Sequence, residues 1–222
     1  LKSLAEAGLN RIHIGMESGS DKVLKLTQKG VSKKDHILAG QKVKKAGMEL
    51  SEYYMPGLGG KELSREHALE SADTLNQINP DFIRMRTLAI AGGTPLQASF
   101  LKGDFVKMGE VDTAAEILLF LENLAGISST LKSDHVLNLF QEVEGTLDTE
   151  KEMMIEPVLR FLQLHPEEQM LFVIGRRSHC MTRLSDLGNP VLRERAATIC
   201  EQAGATVENM DKIAEEITAR FI

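Results

Sequence analysis

Residues 11–17 read Arg-Ile-His-Ile-Gly-Met-Glu, and this stretch decides the fold. Apolar and polar side chains alternate along it, which is the pattern of a β-strand with one buried face. Two further strands are predicted at 48–55 and 82–89, with helices between them at 33–46 and 64–78. Strands that alternate with helices indicate βαβ units and a parallel sheet. We therefore predict an α/β fold.

The predicted sheet has about three strands, which are too few to close a barrel. The chain also begins at Leu1 inside a helix-like pattern, as if cut from a longer protein. We expect 1–101 to be the later part of a partial parallel β/α barrel and 102–222 to be a mainly helical region. Within that region, 127–131 predicts a short strand, and the apolar spacing of 207–221 predicts a terminal helix.

Composition excludes several function classes. The chain carries 26 Lys and Arg against 32 Asp and Glu, so its formal net charge is -6, and no nucleic-acid partner is predicted. Two cysteines, Cys180 and Cys200, exclude a disulfide framework and indicate a reducing, cytoplasmic compartment. They form no Cys-x-x-Cys pair, so we assign no metal ligands. No apolar run approaches the ~20 residues of a membrane span.

An open sheet leaves strand edges that can pair with another chain. We expect the helical region or a second copy of the chain to cover these edges, and the second case would make a homo-oligomer. The apolar side chains of residues 114–124 predict a helix that packs in the core, and docking of a partner is the alternative.

Functional side chains of a parallel α/β sheet gather at the carboxyl ends of the strands. Glu17 ends the first strand, where a carboxylate can accept hydrogen bonds from two neighbouring hydroxyls of a ligand. The alternatives are a helix cap or an ion pair with an arginine. His13 shares the face of Glu17, and we leave open whether it contacts a substrate or packs in the core.

Arg84 and Arg86 share one face of the third strand, where they can bind a carboxylate or a phosphate. The alternative is an ion pair with one of three acids on the neighbouring strands. These acids are Glu17, Glu49 and Glu52.

Other short motifs have structural interpretations. Ser-x-x-Asp capping boxes at 18–21 and 32–35 predict helix starts. The glycine-rich stretch at 57–60 lacks the spacing of a phosphate-binding loop. Ser-Asp-His at 133–135 has the composition of a catalytic triad, but triads are spatial, so we predict that Ser133 caps a helix.

Five short motifs together resemble the radical S-adenosylmethionine (radical SAM) enzymes. They are 14–21 (Ile-Gly-Met-Glu-Ser-Gly-Ser-Asp), 23–26 (Val-Leu-Lys-Leu), 57–60 (Gly-Leu-Gly-Gly), 79–81 (Asn-Pro-Asp) and 93–96 (Gly-Thr-Pro-Leu). Their order and spacing are similar to the later half of that family's partial β/α barrel.

The resemblance implies an iron–sulfur oxidoreductase. In that family three closely spaced cysteines bind a [4Fe-4S] cluster, which reduces S-adenosylmethionine to a 5′-deoxyadenosyl radical. This sequence has no such triplet. We therefore expect a fragment that lacks the cluster-binding part, is inactive alone and binds neither cofactor fully. The substrate is a small molecule or belongs to a class of molecule that the sequence does not define.

The resemblance also assigns positions. Glu17 corresponds to the residue that contacts the ribose of S-adenosylmethionine, and Lys29 to a basic residue directed at its carboxylate. The next strand usually supplies an acid for a second ribose contact, but Tyr53 stands there, and Glu52 faces away unless a bulge shifts it. The implied cofactor contacts are Glu17, Ser18, Lys29, Ser51 and Tyr53, and the implied substrate contacts are His13, Arg84 and Arg86.

Two other classes stay open. The chain can be a non-catalytic α/β binding or oligomerisation module, or a truncated metabolic β/α-barrel enzyme. A Cys-x-x-x-Cys-x-x-Cys motif in preceding sequence would favour the radical SAM interpretation, and its absence would favour the others.

Overall fold

The computed structural model describes residues 1–219 and has an α/β architecture built on one mostly parallel sheet. The strands are β1 (Arg11–Glu17), β2 (Glu49–Tyr54), β3 (Phe82–Met85), β4 (Thr130–Lys132) and β5 (Gly145–Thr146). The helices are α1 (Lys2–Glu6), α2 (Asp21–Leu26), α3 (Lys33–Lys45), α4 (Gly60–Ile78), α5 (Pro95–Lys102), α6 (Glu110–Asn123), α7 (Leu147–Gln163), α8 (Pro166–Arg177), α9 (Pro190–Ala203) and α10 (Met210–Thr218). A 3₁₀ helix, Leu184–Gly188, precedes α9.

The sheet has the order β1-β2-β3-β4-β5, in which β1 to β3 are the three strands predicted within 1–101 and β4 and β5 extend the sheet. β1 to β4 are parallel, and β5 is antiparallel to β4. The predicted strand at 127–131 forms as β4, and Leu131 pairs with Ile83 of β3. The sheet therefore continues beyond residue 102. β1 has the predicted bounds, whereas β3 ends four residues earlier than predicted.

The two edges of the sheet differ. The region 102–222 covers the edge of β3, as one of the two alternatives predicted, but with a strand: β4 pairs with β3, and β5 pairs with β4. Within residues 1–219 no strand pairs with the outer edge of β1. Pairing of this edge with a second copy stays a prediction.

The faces of the sheet follow the alternation in the sequence. Leu50, Tyr54 and Ile83 point toward the helices and are buried in the hydrophobic core. The predicted core helix forms as α6, whose buried Phe120 stacks on Tyr54. The opposite face, here called the polar face, carries His13, Ser51, Tyr53, Arg84 and Lys132, with Glu17 and Arg86 at its carboxyl end.

Helix ends show where local motifs predict structure. The capping box of Ser32 and Asp35 forms as predicted at the start of α3. The predicted box at 18–21 is wrong, because Ser20 is the N-cap of α2 and Ser18 hydrogen-bonds elsewhere. The terminal helix forms as Met210–Thr218, and the last predicted position, Phe221, lies outside the described residues.

Gly19 lies where the turn after β1 touches α4. Its backbone amide donates a hydrogen bond to the Ser71 hydroxyl at 2.9 Å. A Cβ atom at this position would overlap the Glu70 carbonyl oxygen and the Thr74 hydroxyl. The contact fixes the turn that presents Glu17, and only glycine fits it.

We predict that Gly19→Ala destabilises the protein by about 1–3 kcal/mol, because the methyl group meets helix backbone that cannot move aside. Urea unfolding followed by circular dichroism measures the change. Gly92→Ala is the control, since a Cβ there meets nothing within 4 Å. Equal stability of Gly19→Ala and Gly92→Ala would contradict the close contact.

Candidate functional site

Glu17 ends β1 in an unusual backbone conformation. Its φ is +63°, and the β1–β2 register shifts between Ile14 and Glu17. The shift directs the carboxylate toward Lys29, whose Nζ lies 3.0 Å from Glu17 Oε1. Both side chains keep about 30% exposure, so the pair is accessible to a ligand. The alternative of an ion pair with an arginine is therefore wrong, because the partner of Glu17 is a lysine.

Gly15 makes room for this ion pair. A Cβ at residue 15 would lie 3.1 Å from Glu17 Oε1 and 3.4 Å from Lys29 Nζ. Nearby, the imidazole of His36 is buried, and its Nε2 has no hydrogen-bond partner. Burial lowers the pKa of His36, and the Lys29 charge lowers it further. The ion pair therefore stands beside a neutral histidine.

Ser18 belongs to the interior rather than to a ligand site. It is fully buried, and its hydroxyl lies 2.9 Å from His67 Nδ1. His67 Nε2 lies 2.9 Å from the Met55 carbonyl oxygen, which can only accept a hydrogen bond. Nε2 therefore carries the hydrogen, and Nδ1 accepts one from Ser18. Because this network occupies Ser18, the structure gives no support to its implied cofactor contact.

Glu116 completes this network from α6, and no sequence motif identified it as a buried acid. Its Oε1 accepts hydrogen bonds from the Gly57 amide at 2.7 Å and from the Tyr54 hydroxyl at 3.2 Å. Burial, followed by the charge of Glu116, raises the pKa of Tyr54 well above its ordinary value. Glu116 thereby attaches the loop after β2 to the helical region.

Successive residues of β2 point to opposite sides. Ser51 is buried on the polar face, and its hydroxyl has no hydrogen-bond partner. Tyr53 is half-buried on the same face. Glu52 points toward the helices, as predicted, between Ile14 and Ile83 of the neighbouring strands. Neither Glu52 oxygen has a well-aligned partner, and burial raises the pKa of this carboxyl to about 8.

The two arginines of the polar face share one acid. Asp134, just after β4, accepts hydrogen bonds from Arg84 and, at 2.8 Å, from Arg86. The predicted alternative partners, all on β1 and β2, are therefore wrong. Burial alone would raise the pKa of Asp134, but the hydrogen bond from Arg86 and both positive charges lower it.

Aromatic rings adjoin the arginines. The Arg86 guanidinium lies over the Tyr53 ring at 5.1 Å from its centroid. The His13 and Tyr53 rings stack with centroids 6.2 Å apart and an interplanar angle of 25°. His13 is exposed, so it is not the packed core histidine of our alternative.

Residues 133–140 form turns that hold the end of β3, so the helix predicted after Ser133 does not form. The Ser133 hydroxyl donates a hydrogen bond to the Phe140 carbonyl oxygen at 2.6 Å. Asn138 accepts a hydrogen bond from the Thr87 amide and donates one to the Met85 carbonyl oxygen. These contacts place Asp134 opposite the arginines.

The predicted site residues thus fall into three places. Glu17 and Lys29 form a pair at the end of β1, and Ser18 lies in the core. The remaining ones, His13, Ser51, Tyr53, Arg84 and Arg86, share the polar face.

A cleft of about 950 Å³ lies between the loops after β2 and β3 and helices α6 and α10. Leu88 and Phe105 contribute to its apolar wall, and a buried Arg177–Glu110 ion pair lies at its rim. None of the predicted site residues lines it. The polar face, rather than this cleft, carries the predicted chemistry.

The cysteines do not form a cluster site. Cys180 follows α8 and Cys200 lies on α9, and both are buried. Within residues 1–219, no group of three or more His, Cys, Asp or Glu side chains is placed to hold a metal ion.

No helix within residues 1–219 combines the length and the hydropathy needed to cross a lipid bilayer.

Comparison with known proteins gives a partial match. No model of a known protein family matches the sequence. The tRNA uridine(34) acetyltransferases of Methanocaldococcus infernus and Methanocaldococcus jannaschii are 25% and 22% identical to it over 125 residues. These alignments cover 56% of this chain and 23% of each relative. The chain therefore spans less than a quarter of the length of the curated relatives that it matches.

A solved structure of the Methanocaldococcus infernus Elp3 with an N-terminal deletion of residues 1–46 gives a TM-score of 0.49 and 23% identity. The match covers 60% of this chain and 32% of that chain.

We predict that Glu52 makes stability fall as pH rises. Its carboxyl has a pKa of about 8 when folded against 4.5 ordinarily, so the folded state favours the proton. The resulting stabilisation is complete below pH 4.5 and is lost as pH rises to about 8, at up to about 1.4 kcal/mol per pH unit.

Urea unfolding of the protein and of Glu52→Gln at about pH 5 and about pH 8 measures this effect. Glu52→Gln should gain stability relative to the unmodified protein at the higher pH, since the amide does not ionise. Glu49→Gln, exposed on the same strand, should show no such gain. A constant difference between Glu52→Gln and the unmodified protein would show that Glu52 does not titrate in this range.

Proposed function

We propose that the chain is a fragment of a radical SAM enzyme, the later part of its barrel followed by a mainly helical region. The observation that carries the proposal is the partly exposed ion pair of Glu17 and Lys29 at the carboxyl end of β1. The pair joins two positions that the family resemblance had assigned separately, 12 residues apart in sequence.

The ion pair suits S-adenosylmethionine. A carboxylate such as Glu17 can accept hydrogen bonds from both ribose hydroxyls, and the Lys29 ammonium can bind the ligand's carboxylate. The absence of a Cβ at Gly15 leaves space beside both groups. Glu17 and Lys29 would hold S-adenosylmethionine, which together with the iron–sulfur cluster of the family would supply the oxidising radical.

The cluster does not fit the residues of this chain. The two buried cysteines lie in the helical region, away from the end of β1. We propose that cluster ligands come from another part of a longer protein and that the 222 residues alone are inactive. A cytoplasmic location remains part of this proposal.

The substrate contacts belong to the polar face. Arg84 and Arg86 would bind an anionic group, with Asp134 positioning both guanidinium groups. The archaeal relatives are tRNA uridine(34) acetyltransferases, so tRNA is a candidate partner, although the composition predicts no nucleic-acid partner. We propose an anionic substrate and include nucleic acids among the candidates.

The test uses the longer protein that contains this segment, with its cluster reconstituted, plus S-adenosylmethionine and a reductant. We expect formation of 5′-deoxyadenosine, measured by chromatography. Glu17→Gln and Lys29→Met should each weaken binding of S-adenosylmethionine about tenfold or more, since each removes a charged hydrogen-bond partner worth about 1.5–3 kcal/mol.

Lys33→Met is the matched control, because Lys33 is also ion-paired but contacts Glu70 and Asp73 on α4. It should leave the affinity for S-adenosylmethionine unchanged. Absence of 5′-deoxyadenosine from the reconstituted protein would reject the proposed function. Equal losses in Lys33→Met and Lys29→Met would reject the assigned site.

A further inference from the structure

The cleft between α6 and α10 is separate from the polar face of the sheet. Ala114 and Ile117 of α6 form part of its wall. This helix packs on the other side of the sheet, where its Phe120 stacks on Tyr54. With a volume of about 950 Å³, the cleft falls in the range of small-molecule sites, roughly 300–1,000 Å³. It is therefore a second place where this chain can bind a ligand.

Part of the cleft wall is apolar and uncovered. Phe100 is 36% exposed and Val106 is 48% exposed. Leu88 and Ile90, in the loop after β3, are half-buried. Within α5, the helix that carries Phe100, no residue is buried. Because a ligand that covers this wall removes apolar surface from water, the wall favours an apolar molecule.

The charged side chains that line the cleft within residues 1–219 already have partners. The ion pairs are Lys61–Asp112, Lys107–Glu215, Arg177–Glu110 and Lys212–Glu216, and Asp211 accepts a hydrogen bond from the Glu110 amide. A charged ligand would lose hydration on entering and would meet no unpaired opposite charge. The cleft therefore favours an uncharged molecule.

The hydroxyl groups of the wall define what polar group a ligand can carry. The Thr87 hydroxyl donates a hydrogen bond to Asn138 Oδ1 at 3.0 Å, and the Thr113 hydroxyl donates one to the Gly109 carbonyl oxygen at 2.7 Å. A hydroxyl has one hydrogen, so both oxygens can still accept a hydrogen bond but cannot donate another. A ligand hydroxyl that donates suits them.

We propose that this cleft binds an uncharged, mainly apolar small molecule whose polar part is no more than a hydroxyl group. The site is independent of the proposed function. S-adenosylmethionine carries charged groups, and its proposed contacts, Glu17 and Lys29, do not line the cleft.

The test uses the 222-residue chain and three eight-carbon probes that differ in charge, namely octan-1-ol, octanoate and octylammonium. Each competes with Nile red, an uncharged dye whose fluorescence rises in apolar surroundings. Octan-1-ol should displace the dye at a concentration at least about fivefold lower than either ion, because an ion loses hydration in the cleft and gains no partner.

Two substitutions on α5 locate the bound molecule. Phe100→Ser should weaken octan-1-ol binding about threefold or more, because it removes apolar surface from the wall. Leu101→Ser is the matched control, since Leu101 is 74% exposed on the same helix but is not part of the wall. It should bind octan-1-ol normally.

A second pair of variants fills space instead of removing it. Ala89→Trp should largely abolish octan-1-ol binding, because Ala89 lines the cleft and a bulky side chain there occupies it. Ala98→Trp should have no effect, since Ala98 is exposed on α5 outside the wall. Circular dichroism spectra and thermal midpoints verify that each variant is folded.

Other occupants of the cleft give different results. If a second copy fills it, the chain dimerises in analytical ultracentrifugation and Phe100→Ser makes it monomeric. If residues 220–222 fill it, octan-1-ol binds only to a chain shortened to 1–219. Either result would overturn the proposal.

Three further results would also overturn it. They are no binding of octan-1-ol at millimolar concentration, equal affinity for the three probes, and equal weakening by Phe100→Ser and Leu101→Ser. None of these measurements involves radical chemistry, so the failure of this site and the failure of the proposed function are distinguishable.

Discussion

A buried polar pair, His67 and Glu116, fixes the carboxyl ends of β1 and β2. His67 contacts Ser18 after β1 and the Met55 carbonyl after β2, while Glu116 binds the Gly57 amide. These groups are buried, so removing His67 or Glu116 would leave hydrogen-bond donors or acceptors with neither a protein partner nor water. An unsatisfied buried polar group is costly. The geometry of the polar residues at the strand ends therefore depends on an interaction in the core.

The same pair joins the sheet to the helical region. His67 lies on α4, which packs on the sheet, and Glu116 lies on α6. The His67 ring stacks on Tyr54, and the Glu116 carboxylate accepts a hydrogen bond from the Tyr54 hydroxyl. Tyr54 also stacks on Phe120. The Arg–Asp134 cluster adds a second link, since Asp134 follows β4. The helical region thus contributes directly to the placement of the polar-face side chains.

Alternation in 11–17 predicts which side chains of β1 face the core, because a strand has a fixed period of two. The position of Glu17 and the direction of Glu52 follow from the same rule. The partner of Arg84 and Arg86 cannot be predicted from this rule, because Asp134 lies about 50 residues away from them in sequence. Local motifs also mislead at Ser18 and Ser133, whose hydroxyls bind His67 and the Phe140 carbonyl oxygen rather than the amides of a following helix.

Glu17 and Lys29 neutralise each other, so two opposite charges lie side by side at a partly exposed strand end. A carboxylate accepts hydrogen bonds at two oxygens and an ammonium donates three hydrogens, so each group has positions left for a ligand. A ligand that offers only a diol engages the carboxylate alone, and one that offers only an anion engages the ammonium alone. On the proposed function, the ion pair therefore favours molecules that carry both groups at the correct separation.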